Sequence, residues 1–150
     1  MTEINRKAGV LWRGDSRNGS GTISTESRAL FEQPYSYHTR FEEQPGTNPE
    51  ELLAAAHAAC FSMALASVIK KKGFDPREIE VNATCTVASK DGGFEITHMQ
   101  LHVRGDVPGL DQPAFEQLVQ ETNKICPMSN VLREGLKIEI ETLLVMPVPH

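Results

Sequence analysis

Residues 48–66 read NPEELLAAAHAACFSMALA and predict a long helix that is apolar on nearly every face. Asn48 suits the N-cap, Pro49 suits the first helical position, and Glu50 lies where the helix dipole favours negative charge. The segment KKKG at 70–73 supplies cations and a glycine for the end of the helix. Other elements are expected to cover so apolar a helix, which carries Cys60 in its middle.

The composition is ordinary for a globular protein and has an acidic balance. The 150 residues include 15 basic and 20 acidic side chains, which gives a net charge of −5. No cluster of Lys and Arg forms a stripe, which argues against nucleic acid as a partner. The first residues, MTEINRKAGV, lack the apolar run of a signal peptide, and the three cysteines have no regular spacing. We therefore expect a reducing, cytoplasmic setting.

One segment approaches the length of a membrane-spanning helix. The 18 residues from Leu52 to Ile69 carry no formal charge. Alanine dominates this segment, however, and His57 and two serines interrupt it. A helix buried in protein is the better interpretation, so no membrane partner is expected.

The remaining segments predict strands and helices in one domain spanning residues 1–150. KAGVLWRG and SGTISTES are β-type runs around a turn, and residues 28–46 predict a strand followed by a partly irregular arm. IEVNATCTVAS and GFEITHMQLHVRGDV alternate about the turn KDGG and predict a hairpin. An amphipathic helix capped by Asp111, a turn and short helix in CPMSNVLREG, and a final strand in LKIEIETLLVMP complete the chain. The predicted class is α+β with mostly antiparallel strands.

The positions of the three cysteines predict different roles. Cys85 alternates with apolar residues on one face of a strand, which favours a small buried hydrophobe. Cys126 precedes a proline at the end of a helix, where position alone slightly favours a structural role. A thiol at Cys60 would have a raised pKa and be inert unless a cation stabilised its thiolate. His57, on the same helix face, and Arg40, in the preceding arm, are candidates for that cation.

Several segments resemble the OsmC/Ohr family of thiol-dependent organic hydroperoxide reductases. GTNPEELLAAAHAACFSMAL is similar to the signature helix of the family, and CPMSNVL is similar to its second cysteine segment. GSGTISTES and TRFEEQPGTNPEEL are typical of the OsmC branch. The resemblance extends from residue 6 to residue 145, nearly the whole chain.

This resemblance implies a two-cysteine peroxidase without metal, haem, flavin or another cofactor. Cys60 would be the peroxidatic thiol and Cys126 the resolving thiol, while Arg40 and Glu50 would form the charged pair that activates Cys60. The family fold is an intertwined homodimer, with two sheets wrapped around central helices and active sites between subunits. The substrates would be alkyl or lipid hydroperoxides, and a lipoyl-type dithiol would reduce the resulting disulfide. Candidates for lining an apolar substrate pocket are Phe31, Tyr35, Phe41, Met63 and Met128.

Other interpretations remain open. Because the Ohr branch uses an arginine nearer the N-terminus, the role given to Arg40 has three rivals: Arg6, Arg13 and Arg17. A pair of Cys60 with His57 would suit a hydrolase, although neither a group to orient the histidine nor an oxyanion hole is apparent. A metal-binding or structural module could use His57, Cys60 and Cys126, although the sequence has no second CxxC or HxxxH.

Helix geometry adds a prediction about assembly. Glu50 and Cys60 are ten residues apart, which on a straight helix means about 15 Å along the axis and about 80° around it. One arginine cannot bridge both groups at that separation. Either the helix breaks between Ala54 and Ala58, where no Gly or Pro suggests a break, or Glu50 comes from another subunit. We therefore expect an obligate homodimer with shared active sites.

Overall fold

The N-terminal region forms a three-stranded antiparallel sheet. The fold is that of a computed structural model, which describes residues 2–135, 139 and 141. Strand β1 spans Ala8–Arg13, β2 spans Ser20–Thr25 and β3 spans Gln33–Tyr35, in the order β1–β2–β3. The hairpin predicted from the first two β-type runs is confirmed.

The arm after β3 contains a short helix that the sequence analysis did not predict. Helix α1 spans Tyr37–Phe41 and begins with a capping box between Ser36 and Thr39. Threonine replaces the Glu or Gln that usually marks such a box, which removes the sequence signal for this helix. The predicted strand is real but covers only the three residues of β3.

Helix α2 spans Pro49–Lys71 without a break. The side chain of Asn48 accepts a hydrogen bond from the N–H of Glu51 at 2.8 Å, as expected of an N-cap. Gly73, with φ of 94°, lies just beyond the end of the helix. The predicted start and end of this helix are confirmed. Its inner face buries Phe61, Leu65, Val68 and Ile69.

Strands β4, Glu78–Lys90, and β5, Gly93–Asp106, form the second predicted hairpin. The turn residues Asp91 and Gly92 have φ of 50° and 81°, the left-handed values that a two-residue turn between twisted strands requires. The predicted apolar face of β4 is half-buried and packs on α2. Its members are Ile79, Val81, Ala83, Cys85 and Val87.

Two further helices meet at a single residue. Helix α3 spans Gln112–Ile125, and Asp111 caps it by accepting from the N–H of Ala114 at 2.9 Å, as predicted. Helix α4 spans Pro127–Glu134, so Cys126 is both the C-cap of α3 and the N-cap of α4. No separate turn precedes the short helix, which corrects that part of the prediction. The predicted final strand lies almost entirely outside the described residues.

The core lies where α2 packs against β4, α3 and α4. By length and composition α2 could also cross a membrane, but one face of it packs in this core. Among the described residues, the largest side chains removed from solvent are Phe61, Leu65, Ile69, Thr122 and Cys126. The α+β class with antiparallel sheets is therefore confirmed.

Candidate active site

Two of the three cysteines meet although 66 residues separate them. The sulfur of Cys60, in the middle of α2, lies 3.7 Å from the sulfur of Cys126 at the α3–α4 junction. Both are free thiols, with Cys126 fully buried and Cys60 partly exposed. Cys85 is a free, half-buried thiol on β4, where burial and then the charge of Glu50 raise its pKa. The structure therefore brings together the two cysteines named by the family resemblance.

The surroundings shift the pKa values of the two neighbouring thiols in opposite directions. Burial raises the pKa of Cys60; the Met128 N–H partly opposes this increase, and the adjacent thiol of Cys126 adds to it. Burial also opposes ionisation of Cys126, but the backbone N–H and hydroxyl of Ser129, with smaller contributions from Cys60 and Met128, lower its pKa overall. Within one chain, Cys60 therefore still needs the cation that its apolar position predicted.

Arg40 and Glu50 form an ion pair within the same chain. Nε of Arg40 donates to both carboxylate oxygens of Glu50 at 3.0 and 3.2 Å, and Nη2 donates to Oε1 at 2.7 Å. The Glu50 side chain is 8% exposed and the Arg40 side chain 37% exposed. Because α2 is unbroken, this pair lies about 15 Å along the helix axis from Cys60 of the same chain. The alternative of a helix break is therefore wrong for this chain.

An aromatic cavity of about 440 Å³ opens beside Arg40. The rings of Trp12 and Tyr35 lie 5.3 Å apart, and those of Phe41 and Phe94 stack at 4.1 Å. Gly21 is required next to two of these rings, because a Cβ there would lie 2.6 Å from the Trp12 ring and 2.8 Å from the Tyr35 ring. The lining is completed by Ser16 and Tyr37.

Only two of the five predicted pocket residues, Tyr35 and Phe41, line this cavity. Phe31 is exposed and lies under the Arg28 guanidinium, at 4.1 Å from ring centre to Cζ. Met63 is 78% exposed on α2, and Met128 packs against the core. Three aromatic lining residues were not predicted, because they are distant from Arg40 in sequence or lie in helix α1: Trp12, Tyr37 and Phe94.

The rival arginines lie elsewhere in the N-terminal region. Arg17 packs over the Tyr37 ring at 4.7 Å from the ring centre, near the aromatic cavity. Arg6 donates to the Asn5 carbonyl, and Arg13 ends β1. Arg40 differs from these three because its guanidinium is fixed by the buried carboxylate of Glu50.

His57 makes a buried contact that sequence reasoning missed. Its Nε2 lies 2.8 Å from the hydroxyl of Ser129, and its Nδ1 has no hydrogen-bond partner among the described residues. Burial lowers the pKa of His57, which favours the neutral ring. The Cys60–His57 pair of a hydrolase is therefore not formed through Nε2. In the part of the chain that the structure describes, no group of three His, Cys, Asp or Glu side chains is placed to hold a metal ion.

The fold and site together define an α+β protein with a paired-cysteine centre. The chain belongs to the OsmC-like protein family, whose family model matches residues 41–141. It is 44% identical over 138 residues to peroxiredoxin OsmC of Escherichia coli (strain K12), a match covering 92% of this chain and 96% of that protein. It is 32% identical over 123 residues to organic hydroperoxide resistance protein OhrB of Bacillus subtilis (strain 168), covering 81% and 88%.

Solved structures give the same classification. The crystal structure of OhrB of Bacillus subtilis matches with a TM-score of 0.64 at 28% identity, covering 86% of this chain and 92% of that one. A putative organic hydroperoxide resistance protein of Vibrio cholerae, solved with captopril in one of its active sites, matches with a TM-score of 0.67 at 30% identity. That match covers 90% of this chain and 88% of the other. The predicted family and the α+β fold of the chain are confirmed, and the intertwined homodimer stays a prediction.

Proposed function

We propose that this chain is a thiol-dependent peroxidase that reduces organic hydroperoxides to alcohols in stress defence. The observation that carries the proposal is the 3.7 Å approach of the sulfurs of Cys60 and Cys126. Relatives named peroxiredoxin OsmC and organic hydroperoxide resistance protein support this direction. The chemistry requires only side chains of the protein, the hydroperoxide and an external thiol.

In the first step, the thiolate of Cys60 attacks the terminal oxygen of the hydroperoxide. The O–O bond breaks, Cys60 becomes a sulfenic acid, and the alkoxide takes up a proton to leave as an alcohol. A guanidinium next to this sulfur would stabilise both the thiolate and the charge on the departing oxygen. Arg40 is proposed for this role because it is oriented by Glu50 and borders the aromatic cavity.

In the second step, the sulfur of Cys126 attacks the Cys60 sulfenic sulfur. An S–S bond forms, the S–O bond breaks, and the leaving hydroxide combines with the thiol proton as water. An external dithiol of the lipoyl type then supplies two electrons and two protons to restore both thiols. The partly exposed position of Cys60 would allow that dithiol to reach the disulfide.

The proposal includes an obligate homodimer in which Arg40 and Glu50 of one chain serve Cys60 of the other. The axial separation of about 15 Å along α2 prevents this pair from reaching Cys60 of its own chain. An uncovered face of α2, which includes Ala55, Ala59 and Met63, is a natural contact for a second α2.

The aromatic cavity supports alkyl or lipid hydroperoxides as substrates. In the proposed dimer it would lie beside the partner's reactive sulfur, and its five rings would bind an apolar chain better than hydrogen peroxide. Cytoplasmic location belongs to the same proposal, because reversible thiol chemistry requires a reducing compartment. Neither nucleic acid nor a membrane is proposed as a partner.

The deciding experiment measures consumption of cumene hydroperoxide with dihydrolipoamide as the reductant. Wild type should turn over repeatedly, Cys60→Ser should be inactive, and Cys85→Ser should retain wild-type activity as the matched cysteine control. Consumption by folded Cys60→Ser at the wild-type rate would disprove the proposed mechanism. A stable acyl adduct on Cys60 with an ester substrate would instead support a hydrolase.

A further inference from the structure

A buried polar chain connects the two helices that carry the cysteines. His57 on α2 lies within hydrogen-bond distance of Ser129 on α4, and both side chains are removed from solvent. Ser129 is the third residue of α4 and Cys126 is its N-cap, a spacing that places an N-cap side chain beside the backbone N–H of the third residue. The Cys126 side chain makes no capping hydrogen bond to α4. Burial opposes ionisation of Cys126, but interactions with the Ser129 N–H and hydroxyl lower its pKa overall.

The hydrogen-bonding capacity of the buried groups determines which atom donates in the His57–Ser129 hydrogen bond. If Ser129 donated its O–H to Nε2 of His57, the ring proton would be on Nδ1, leaving a buried N–H without a partner among the described residues. Orphaned buried N–H groups are rarer than acceptors without a donor. The proton is therefore assigned to Nε2, which donates to the Ser129 oxygen. The single O–H of Ser129 is then free to donate to the sulfur of Cys126.

We propose that Ser129, oriented by His57, stabilises and aims the Cys126 thiolate for its attack on oxidised Cys60. The inference rests on the proposed peroxidase function and concerns only its second step. In that step the S–S bond forms and the S–O bond of the sulfenic acid breaks. The hydroxide that leaves combines with the proton that Cys126 gave up, and water is released. In this role Ser129 would contact a reacting atom, the Cys126 sulfur, whereas His57 is a positioning residue that acts through Ser129.

A purely structural role explains this arrangement poorly. The His57 side chain is buried and its Nδ1 has no hydrogen-bond partner among the described residues, and an aliphatic side chain there would avoid that desolvation cost. Ser129 already has its place in the helix and needs no histidine to satisfy its hydroxyl. A role in stabilising the Cys126 thiolate accounts for the His57–Ser129 contact better, because a hydrogen bond to a thiolate is stronger than one to a neutral group.

The test separates the two chemical steps by rapid mixing with one equivalent of cumene hydroperoxide. In Ser129→Ala and His57→Leu, peroxide consumption in the first turnover should stay within about twofold of wild type. Disulfide formation should slow by about tenfold or more, so that the Cys60 sulfenic acid accumulates and can be trapped with a dimedone-type probe. His57→Gln should restore disulfide formation, because the glutamine Nε2 can occupy the place of the histidine Nε2. Thr122→Val is the matched control, since it removes a buried hydroxyl that, within residues 2–135, donates to the Leu118 carbonyl and to no other group.

A second measurement needs no peroxide. In protein carrying Cys60→Ser and Cys85→Ser, thiolate absorbance reports Cys126 alone, and adding Ser129→Ala should raise its pKa. If wild type consumed no hydroperoxide but this shift appeared, the peroxidase proposal would fail, while the stabilisation of the Cys126 thiolate by Ser129 would stand. Normal disulfide formation and an unshifted titration in folded Ser129→Ala would overturn the inference, as would an equal slowing in Thr122→Val. If His57→Leu does not fold, a slow disulfide step in folded His57→Gln counts against the role of His57.

Discussion

The guanidinium of Arg40 holds the carboxylate of Glu50 through three hydrogen bonds of 2.7 to 3.2 Å, all within one chain. Arg40 lies near the end of α1 and Glu50 in the first turn of α2, so the link between these helices fixes the direction of the arginine. Two-point binding of this kind gives geometric precision as well as attraction. The pair is therefore a preformed unit that the proposed dimer would deliver to the cysteine of the other chain.

Cys60 and Cys126 should form a reversible intrachain disulfide, while Cys85 stays free. The sulfurs of the first two lie 3.7 Å apart, and Cys85 is held on β4. One equivalent of organic hydroperoxide followed by peptide mass spectrometry without reduction should give a single Cys60–Cys126 bridge. Dithiol treatment should remove it. A bridge that included Cys85 would contradict this assignment.

Arg40→Ala should raise the pKa of Cys60 and slow attack on the hydroperoxide. Burial already raises this pKa within the chain, so ionisation depends on an added cation. Arg40→Lys keeps the positive charge but loses the forked donor geometry of the guanidinium, and should give a Cys60 pKa between those of wild type and Arg40→Ala. The measurement is thiolate absorbance against pH in Cys85→Ser, Cys126→Ser protein. An unchanged titration would transfer the role to another cation, of which the candidates are Arg6, Arg13 and Arg17.

Mixed dimers should reveal sites shared between chains. Glu50→Ala and Cys60→Ser, each inactive alone, should recover about a quarter of wild-type activity after co-refolding in equal amounts, because half of randomly paired dimers are mixed and each has one intact site. The ion pair supplies the matched control. Because Arg40 and Glu50 come from one chain, Arg40→Ala mixed with Glu50→Ala should remain inactive. If the mixture of Glu50→Ala with Cys60→Ser stayed inactive although heterodimers had been shown to form, Glu50 would act within its own chain.

Phe94→Ala should weaken the use of bulky hydroperoxides more than the use of hydrogen peroxide. Phe94 stacks on Phe41 and lines the cavity beside Arg40, where it would cover an apolar substrate. Losing that contact should lower kcat/KM for cumene hydroperoxide by about tenfold. Steady-state kinetics with both peroxides measures the difference, with Phe31→Ala as an aromatic control outside the cavity. Equal losses for both substrates would remove the cavity from the proposed substrate path.

His57 should make the protein less stable in mild acid. Burial lowers its pKa in the folded state below the ordinary value of 6.5, so the unfolded chain binds a proton more readily. Its contribution to the free energy of unfolding is therefore present above about pH 6.5 and is lost as the pH falls towards the folded-state pKa. Urea denaturation at several pH values should show a steeper acid decline for wild type than for His57→Gln. Parallel declines would mean that His57 does not titrate between the two states.

Local signals in the sequence determined the helices and hairpins that carry the site. The caps at Asn48 and Asp111 and the turn at Asp91 and Gly92 act within a few residues, so their structural consequence could be predicted. The resemblance of two cysteine segments to a known family identified Cys60 and Cys126. Helix α1 was missed because its five residues are too few to show a periodic apolar pattern.

Tertiary structure alone decided which of these elements meet. The approach of Cys60 to Cys126, the contact of His57 with Ser129 and the aromatic cavity all join residues distant in the chain. Such contacts depend on the register of strands and the packing of helices, which no local pattern specifies. The sequence therefore determined the chemical groups and the elements that bear them, whereas packing determined their partners because distances between elements are set by the whole core.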